Sequence, residues 1–383
     1  MSSNLGSGDA SDPRAAPLAN LRVIDLSAVL AAPNCARYFA DFGADVIKVE
    51  RPEGDSLRDL AWRDPRDGEG LWWKLVNRNK RTVMLDIKLD ADRATLLELI
   101  KDADVLVENS RPGTLERLGL GPDVLLAHNS RLVITRVTGF GQDGTYASRP
   151  GFATIAESMS GFAALNGEPD GQPLLPPIAL TDEVTGLAAA FATMVALHSG
   201  VGQVVDTNLL ETMLQIMGPL VSLYGLTGEQ QPRLGSGLPY TVPRGTYQCS
   251  DGRWVGVSTS SDSVAQRVMK LLGIEEDPRF TTFADRTTNR AELEQVMIDW
   301  CANRTQAEVL EAFTAAQAAI GPVFDMADIA NDPHFASRQS ITEVDGMPMQ
   351  ALIAKLSATP GVLRWEGRRL DADGDQIRAN GWD

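Results

Sequence analysis

Leu21-Arg-Val-Ile-Asp-Leu26 and Ala44-Asp-Val-Ile-Lys-Val-Glu50 flank a run from Pro33 to Gly43 that has helical spacing and closes on a glycine. The flanking pieces alternate apolar, β-branched residues with charged ones, which reads as two strands around a helix. A strand, a crossover helix and a second strand give a parallel pair. The alternation continues outward. Val83 to Ile87 and Val105 to Glu108 read as strands separated by a helix from Ala91 to Lys101, and Arg131 to Val137 adds another strand. The pattern predicts a doubly wound, Rossmann-like α/β domain with a parallel sheet. The first turn, Ala28-Val-Leu-Ala-Ala-Pro33, contains no glycine, so the dinucleotide-binding fingerprint is absent there.

Further along, Val204 to Glu211 reads as strand then helix, and residues 18–216 form the large domain. From Met217 to Pro243 the text is rich in glycine and proline and reads as a linker. A smaller α+β domain is expected over 244–330. It contains a hairpin around Ser250-Asp251-Gly252 and helices near Ser261 to Leu272, Arg290 to Ala302 and Gln306 to Ala319. Residues 331–383 show few strong periods. Residues 1–17 are rich in Ser, Gly, Asp and Ala and read as a flexible tail.

Composition narrows the functional classes. Hydrophobic residues make up 43% and charged residues 22% of the 383, an ordinary globular balance. The net charge of −16 argues against nucleic acid as a partner. The most apolar run, Leu187 to Leu197, is too short to span a membrane, and no signal peptide is expected. Three scattered cysteines and three isolated histidines argue against a disulfide scaffold or a metal centre and suggest a reducing, cytoplasmic setting.

Three stretches are candidates for chemistry. Ile178-Ala-Leu-Thr-Asp-Glu-Val-Thr-Gly-Leu187 follows a proline-rich approach and opens an apolar helix expected to be buried, with Asp182 in its first turn. Unpaired N–H groups and the helix dipole there favour a carboxylate, which makes Asp182 a candidate nucleophile. The plain alternative is that Thr181 or Asp182 only caps the helix. Gly139-Phe-Gly-Gln-Asp-Gly144 matches a dinucleotide motif by letter, but the following Thr145 to Pro150 does not open a helix, so a glycine-rich active-site loop is expected. Gly139 and Gly141 would then offer backbone N–H groups to an oxyanion. Finally, Lys74, Arg78, Lys80 and Arg81 form an acid-free basic cluster that could hold phosphates, or could be an ordinary solvated turn.

Taken in order, these segments resemble the class III CoA-transferases, the family of formyl-CoA transferase, carnitine CoA-transferase and the α-methylacyl-CoA racemases. The resemblance spans nearly the whole chain. It rests on Arg22 to Leu26, Ala40 to Pro52 with Gly54-Asp55, Asn77 to Arg81, Ala103 to Asn109 with Arg111-Pro-Gly113, Gly139-Phe-Gly141, Thr181-Asp182, Gly202 to Asp206, Asp277 to Phe280 and Gly321-Pro-Val323. It implies a large domain built from both chain ends, a smaller domain between them, and an interlocked homodimer. It also implies that Asp182 is a covalent nucleophile and that CoA lies around Val29, Arg51, Leu85, Lys88 and Asn109. CoA or acyl-CoA would be a substrate, with no tightly bound cofactor.

Transfer between small dicarboxylates, with a succinyl-CoA-type donor, is the expected activity. Two alternatives stand beside it. The racemase branch uses a His-Asp pair where this sequence has Phe152-Ala153, and neither side chain can move a proton. A protein that binds CoA without chemistry is the other. Two departures from the family pattern are plain: only Gly235-Ser-Gly237 stands where formyl-CoA transferase has a tetraglycine loop, and Gly367 to Gly374 is an atypical ending.

Overall fold

The computed structural model describes residues 16–383, so most of the expected tail, residues 1–15, lies outside the described residues. The chain divides into two compact units. One comprises the described residues up to Ser160, with Pro176–Met217 and His334–Asp383; the other comprises Gly161–Leu175 and Gly218–Pro333.

The first unit is built on six parallel strands: β1 (Arg22–Asp25), β2 (Asp45–Glu50), β3 (Arg81–Met84), β4 (Val105–Glu108), β5 (Val133–Thr138) and β6 (Gln203–Asn208). Their order is β3-β2-β1-β4-β5-β6. The chain winds outward from β1, then returns to place β4 on its other side. That reversal opens a crevice beyond the carboxyl ends of β1 and β4. Val23, Ile24, Ile47, Val83 and Val105 are fully buried, as strands covered on both faces require. The first helix, Ala31–Asp41, tolerates Pro33 because N–H groups in a first turn have no partner within the helix.

Leu180–Ser199 forms one helix, closed by Gly200 in the left-handed conformation. Its buried face is made of small residues, among them Thr185, Gly186, Ala189 and Thr193. Small side chains let it press against the first helix: a Cβ on Gly186 would lie 2.8 Å from Cβ of Asn34 and 2.9 Å from the Ala31 carbonyl oxygen. The expectation of a wholly buried helix is corrected. Leu187, Phe191 and Val195 face outward, with Phe191 73% exposed. By length and composition the full helix is also large enough to cross a membrane, which the run Leu187 to Leu197 alone is not.

The last fifty residues of this unit are more ordered than their sequence suggests. β10 (Ile341–Val344) and β11 (Met347–Gln350) form a hairpin turned by Asp345-Gly346, both at positive φ. Beyond it, the Arg368 and Arg369 carbonyls accept bonds from the Trp73 indole and the Thr82 hydroxyl, each at 2.8 Å. Trp382 then packs into the sheet's core and donates to the Leu99 carbonyl at 3.0 Å.

The second unit holds an antiparallel sheet, β7 (Arg244–Gln248), β8 (Trp254–Ser258) and β9 (Ala319–Pro322). Helices Asp262–Leu272, Arg290–Ala302 and Gln306–Ala315 share its core with Tyr247, Phe280 and Phe313. Two expectations change. Leu220–Thr227 is helical within the stretch read as a linker, and Ala319 belongs to a strand.

Candidate active site

The crevice between β1 and β4 is held by side-chain hydrogen bonds. Asn109, just past β4, donates to the Ala28 carbonyl at 2.7 Å and accepts from the Ala28 N–H at 2.9 Å, spanning the switch point. The next residue, Val29, has φ 69°. A β-branched side chain there is strained, so the surroundings must impose the turn. Asp55 does so: both its carboxylate oxygens accept from the Val29 N–H, at 3.2 and 3.3 Å. Fully buried Lys48 holds Asp55 at 3.3 Å, donates to the Ser27 carbonyl, and lies 3.6 Å from Asp25. Lys80 completes the set at 2.8 Å from Asp25. Burial alone would raise the Asp25 pKa, but Lys48, Lys80 and the hydrogen bonds from Lys80 and Ser27 bring it down to about 2.

Above this network lies a cleft of about 670 Å³ lined by Val29, Arg51, Leu85 and Lys88. Those four expected residues therefore converge, and Asn109 braces the loop behind them. Val29 and Leu85 give the cleft apolar surface. Arg51 is mostly exposed, with its Nε donating to the Gly54 carbonyl at 2.9 Å, and Lys88 is exposed. Both can meet an anion at the mouth.

Arg78 and Arg81 do not belong to this cleft, and the phosphate-clamp reading of the basic cluster is corrected. Arg78 is 1% exposed and forks onto Asp41 at 2.9 and 2.7 Å. Arg81 forks onto Asp45 at 3.0 and 2.6 Å, at the amino end of β3 and so across the sheet from the crevice. Lys74 is buried among Asp64, Asp67 and Glu366, all within 2.9 Å. The acids that neutralise these cations lie outside the stretch, Asp64 and Asp67 just before it and Asp41, Asp45 and Glu366 farther off, so a local run without acids concealed them.

Asp182 stands in the first turn of its helix. Neither plain alternative applies: the N-cap is Ala179 without a side-chain bond, and the Thr181 hydroxyl donates elsewhere, to Glu157 at 2.7 Å. Ala179 packs in one apolar cluster with Val29, Leu30, Leu57 and Trp73, which brings the start of this helix to the crevice loop. Among the described residues the Asp182 carboxylate has no ion-pair or hydrogen-bond partner. Burial first, and then the charges of Glu157 and Glu183, push its pKa from 3.8 up to about 6. That shift corresponds to about 3 kcal/mol. A helix dipole contributes roughly 0.3–1 kcal/mol, so desolvation and like charge win over it, contrary to the expectation that the helix terminus would keep the group readily ionised. Glu183 points the other way, accepting from Asn34 at 3.0 Å and from Arg37 and Tyr38 at 3.4 Å.

The glycine-rich loop is shaped by close approach. A Cβ on Gly139 would lie 2.7 Å from the Gly151 Cα, and Gly141 has φ +92°. The Gly141 N–H donates to the Thr138 hydroxyl and the Gln142 N–H to Asp206, each at 2.9 Å. Gly141 is thus committed to the loop itself in this conformation and is not free to donate to an oxyanion. Asp55, which holds Val29, and Glu157, which holds Thr181, are residues that sequence reading passed over. Asp55 was visible only as part of a motif, and Glu157 only as a polar letter in an otherwise small and apolar helix. Among the described residues no three His, Cys, Asp or Glu side chains converge as a metal site.

Comparison with known proteins agrees with this geometry. The model of CoA-transferase family III matches residues 18–373. A succinyl-CoA–D-citramalate CoA-transferase from Chloroflexus aurantiacus is 37% identical over 374 residues, covering 94% of this chain and 93% of that protein. A succinyl-CoA–L-malate CoA-transferase beta subunit from the same organism is 38% identical over 377 residues, with the same coverage of 94% and 93%. Among solved structures, a CAIB/BAIF family protein from Brucella suis superimposes with a TM-score of 0.85 at 31% identity, covering 96% of this chain and 99% of that one. A doubly wound sheet, a cleft at its switch point and a match along nearly the whole chain place this protein in one family: it belongs to CoA-transferase family III and is a class III CoA-transferase.

Proposed function

We propose that the protein moves CoA from a succinyl-CoA-type thioester to a small dicarboxylic acid through a covalent intermediate on Asp182. The observation that carries this reading is a largely buried carboxylate without a cationic partner, its pKa pushed up to about 6, beside the crevice loop. An unpartnered carboxylate of raised basicity is a stronger nucleophile than an ion-paired one. Asp182 attacks the thioester carbon, the C–S bond breaks, and the electron pair leaves on the CoA sulfur. The thiolate then attacks the resulting anhydride at the aspartyl carbonyl, giving an aspartyl thioester and free acid. The acceptor acid enters by the same steps in reverse.

CoA is a substrate here, held in the cleft of Val29 and Leu85 with Arg51 and Lys88 at its phosphates. Gly139 shapes the loop expected beside the reacting carbonyl. Burial of Asp182 limits the access of water to the anhydride. The two Chloroflexus relatives are named for succinyl-CoA with citramalate or malate, which supports a C4 or C5 dicarboxylate as acceptor.

The working form is a homodimer. Leu187, Phe191 and Met194, with Tyr38, Phe42 and Ile353, line an apolar hollow of about 390 Å³ on the surface of the first unit. A second copy would remove that surface from water. Free, buried Cys35, Cys249 and Cys301 fit a reducing cytoplasmic setting.

The test is a panel of acyl-CoA donors and free acids, read by product mass, with wild type and Asp182→Ala. Transfer by wild type and loss in the dimeric variant support the reading. Transfer surviving in Asp182→Ala overturns it. Exchange of the substrate α-hydrogen for deuterium, without CoA transfer, would point to racemase chemistry instead.

A further inference from the structure

We propose that Glu157 is a positioning residue for Asp182: its buried carboxylate, tied to the neighbouring Thr181, places a fixed negative charge beside the nucleophile and governs how readily it attacks. This rests on the aspartyl mechanism proposed above. Glu157 sits on the helix Ala153–Met159 and is 3% exposed. Thr181, fully buried, donates its hydroxyl to Glu157 at 2.7 Å. Among the described residues no cation pairs with Glu157. Holding a carboxylate in that setting is costly, and packing alone would be served better by an uncharged side chain of similar volume.

The charged groups around Asp182 favour this reading. From its own helix comes Glu183, tied to Asn34, Arg37 and Tyr38 of the first helix. The helix Leu209–Ile216 brings Glu211, held by Asn208 at 2.8 Å, and on the neighbouring strand β6 Asp206 is held by the Gln142 N–H. On β5 the charge of Arg136 is taken by Glu108 and Glu116. Glu157 and Glu183 are the charges that act on Asp182, and both are acidic. Of these two, Glu157 alone has no cation of its own.

The chemistry gives that arrangement a purpose. As the Asp182 oxygen bonds to the acyl carbon and the C–S bond breaks, negative charge leaves Asp182 and ends on the CoA sulfur. Repulsion from Glu157 is present in the ground state and relieved in the transition state, which lowers the barrier.

Two variants separate charge from packing. Glu157→Gln keeps an acceptor for Thr181 and removes the charge, whereas Glu157→Asp keeps the charge. The pH dependence of kcat/KM for succinyl-CoA is measured for both and for wild type, with thermal melts to establish folding and hydroxylamine labelling of the Asp182 peptide in parallel. The expected result is an acid limb moved to lower pH by roughly half to one unit in Glu157→Gln. Its plateau falls about tenfold, and Glu157→Asp stays nearer wild type on both. Identical profiles for the two variants, or a wild-type profile in Glu157→Gln, overturn the proposal. If wild type itself gives no label on Asp182, the aspartyl mechanism falls and this inference with it. If wild type labels and the profile does not move, Glu157 alone is misassigned.

Discussion

Asp182 is a carboxylate that the fold holds at a cost in stability. With its pKa raised from 3.8 to about 6, the folded state binds the proton more tightly than the unfolded chain. Stability from this group is therefore full below pH ~4, falls as pH rises through about 6, and stays lost above. Asp182→Asn removes that dependence. The variant is expected to melt higher than wild type at pH 7 to 8, by about 1–3 kcal/mol, and to match it near pH 4, while losing transfer activity. Thermal melts across that pH range check this. Asn109 offers a second test. Asn109→Ala frees the Ala28 turn on both its N–H and C=O sides, and an increase in KM for acyl-CoA of roughly tenfold, with kcat less affected, is expected from loss of a preformed site. At this scale the sequence was readable where it had only to place a residue in an element, as with Asp182 in the first turn of its helix. It was misleading where a partner is remote: nothing near Arg78 in the chain announces Asp41, and nothing near Glu157 announces Thr181.

At the scale of elements, the Asp182 helix is placed by its contact with the first helix. Gly186 permits that contact, since any side chain there meets Asn34 and the Ala31 carbonyl below 3 Å. Gly186→Ala is expected to separate the two helices, to destabilise the fold by about 1–3 kcal/mol despite alanine's better helix propensity, and to lower activity with it. The midpoint of chemical denaturation measures the first effect. The strand and helix alternation of the first unit was legible because β-branched residues recur in short runs such as Val23-Ile24, Val46-Ile47 and Val133-Ile134 between helical stretches, even though buried Asp25, Lys48 and Arg136 interrupt them. The hairpin of β10 and β11 was not, although Asp345-Gly346 is a strong turn signal. Its strands are four residues each and carry Glu343, Pro348 and Gln350, which dilute the alternation. The helix Leu220–Thr227 was hidden by Gly225 within it and by the glycine- and proline-rich text around it.

For the whole molecule, the apolar outward face of the Asp182 helix is where the proposed homodimer and the proposed chemistry meet. The run is apolar on all sides, so composition alone could not separate its buried small-residue face from the outward face of Leu187, Phe191 and Val195, and the sequence suggested simple burial. Phe191→Asp, at a side chain 73% exposed in the single chain, is expected to yield a folded monomer with little transfer activity, and wild type is expected to sediment at twice the chain mass. Wild type sedimenting as a monomer at micromolar concentration would remove the homodimer, and activity appearing only with a second, different chain would replace it with a heteromer.

The most direct measurement of the central claim is peptide mass spectrometry after incubation with succinyl-CoA, followed by hydroxylamine or borohydride. The expected result is modification confined to the peptide containing Asp182 and absent from Asp182→Asn. Modification at another residue, or transfer that proceeds with no modified aspartate in wild type, would contradict it.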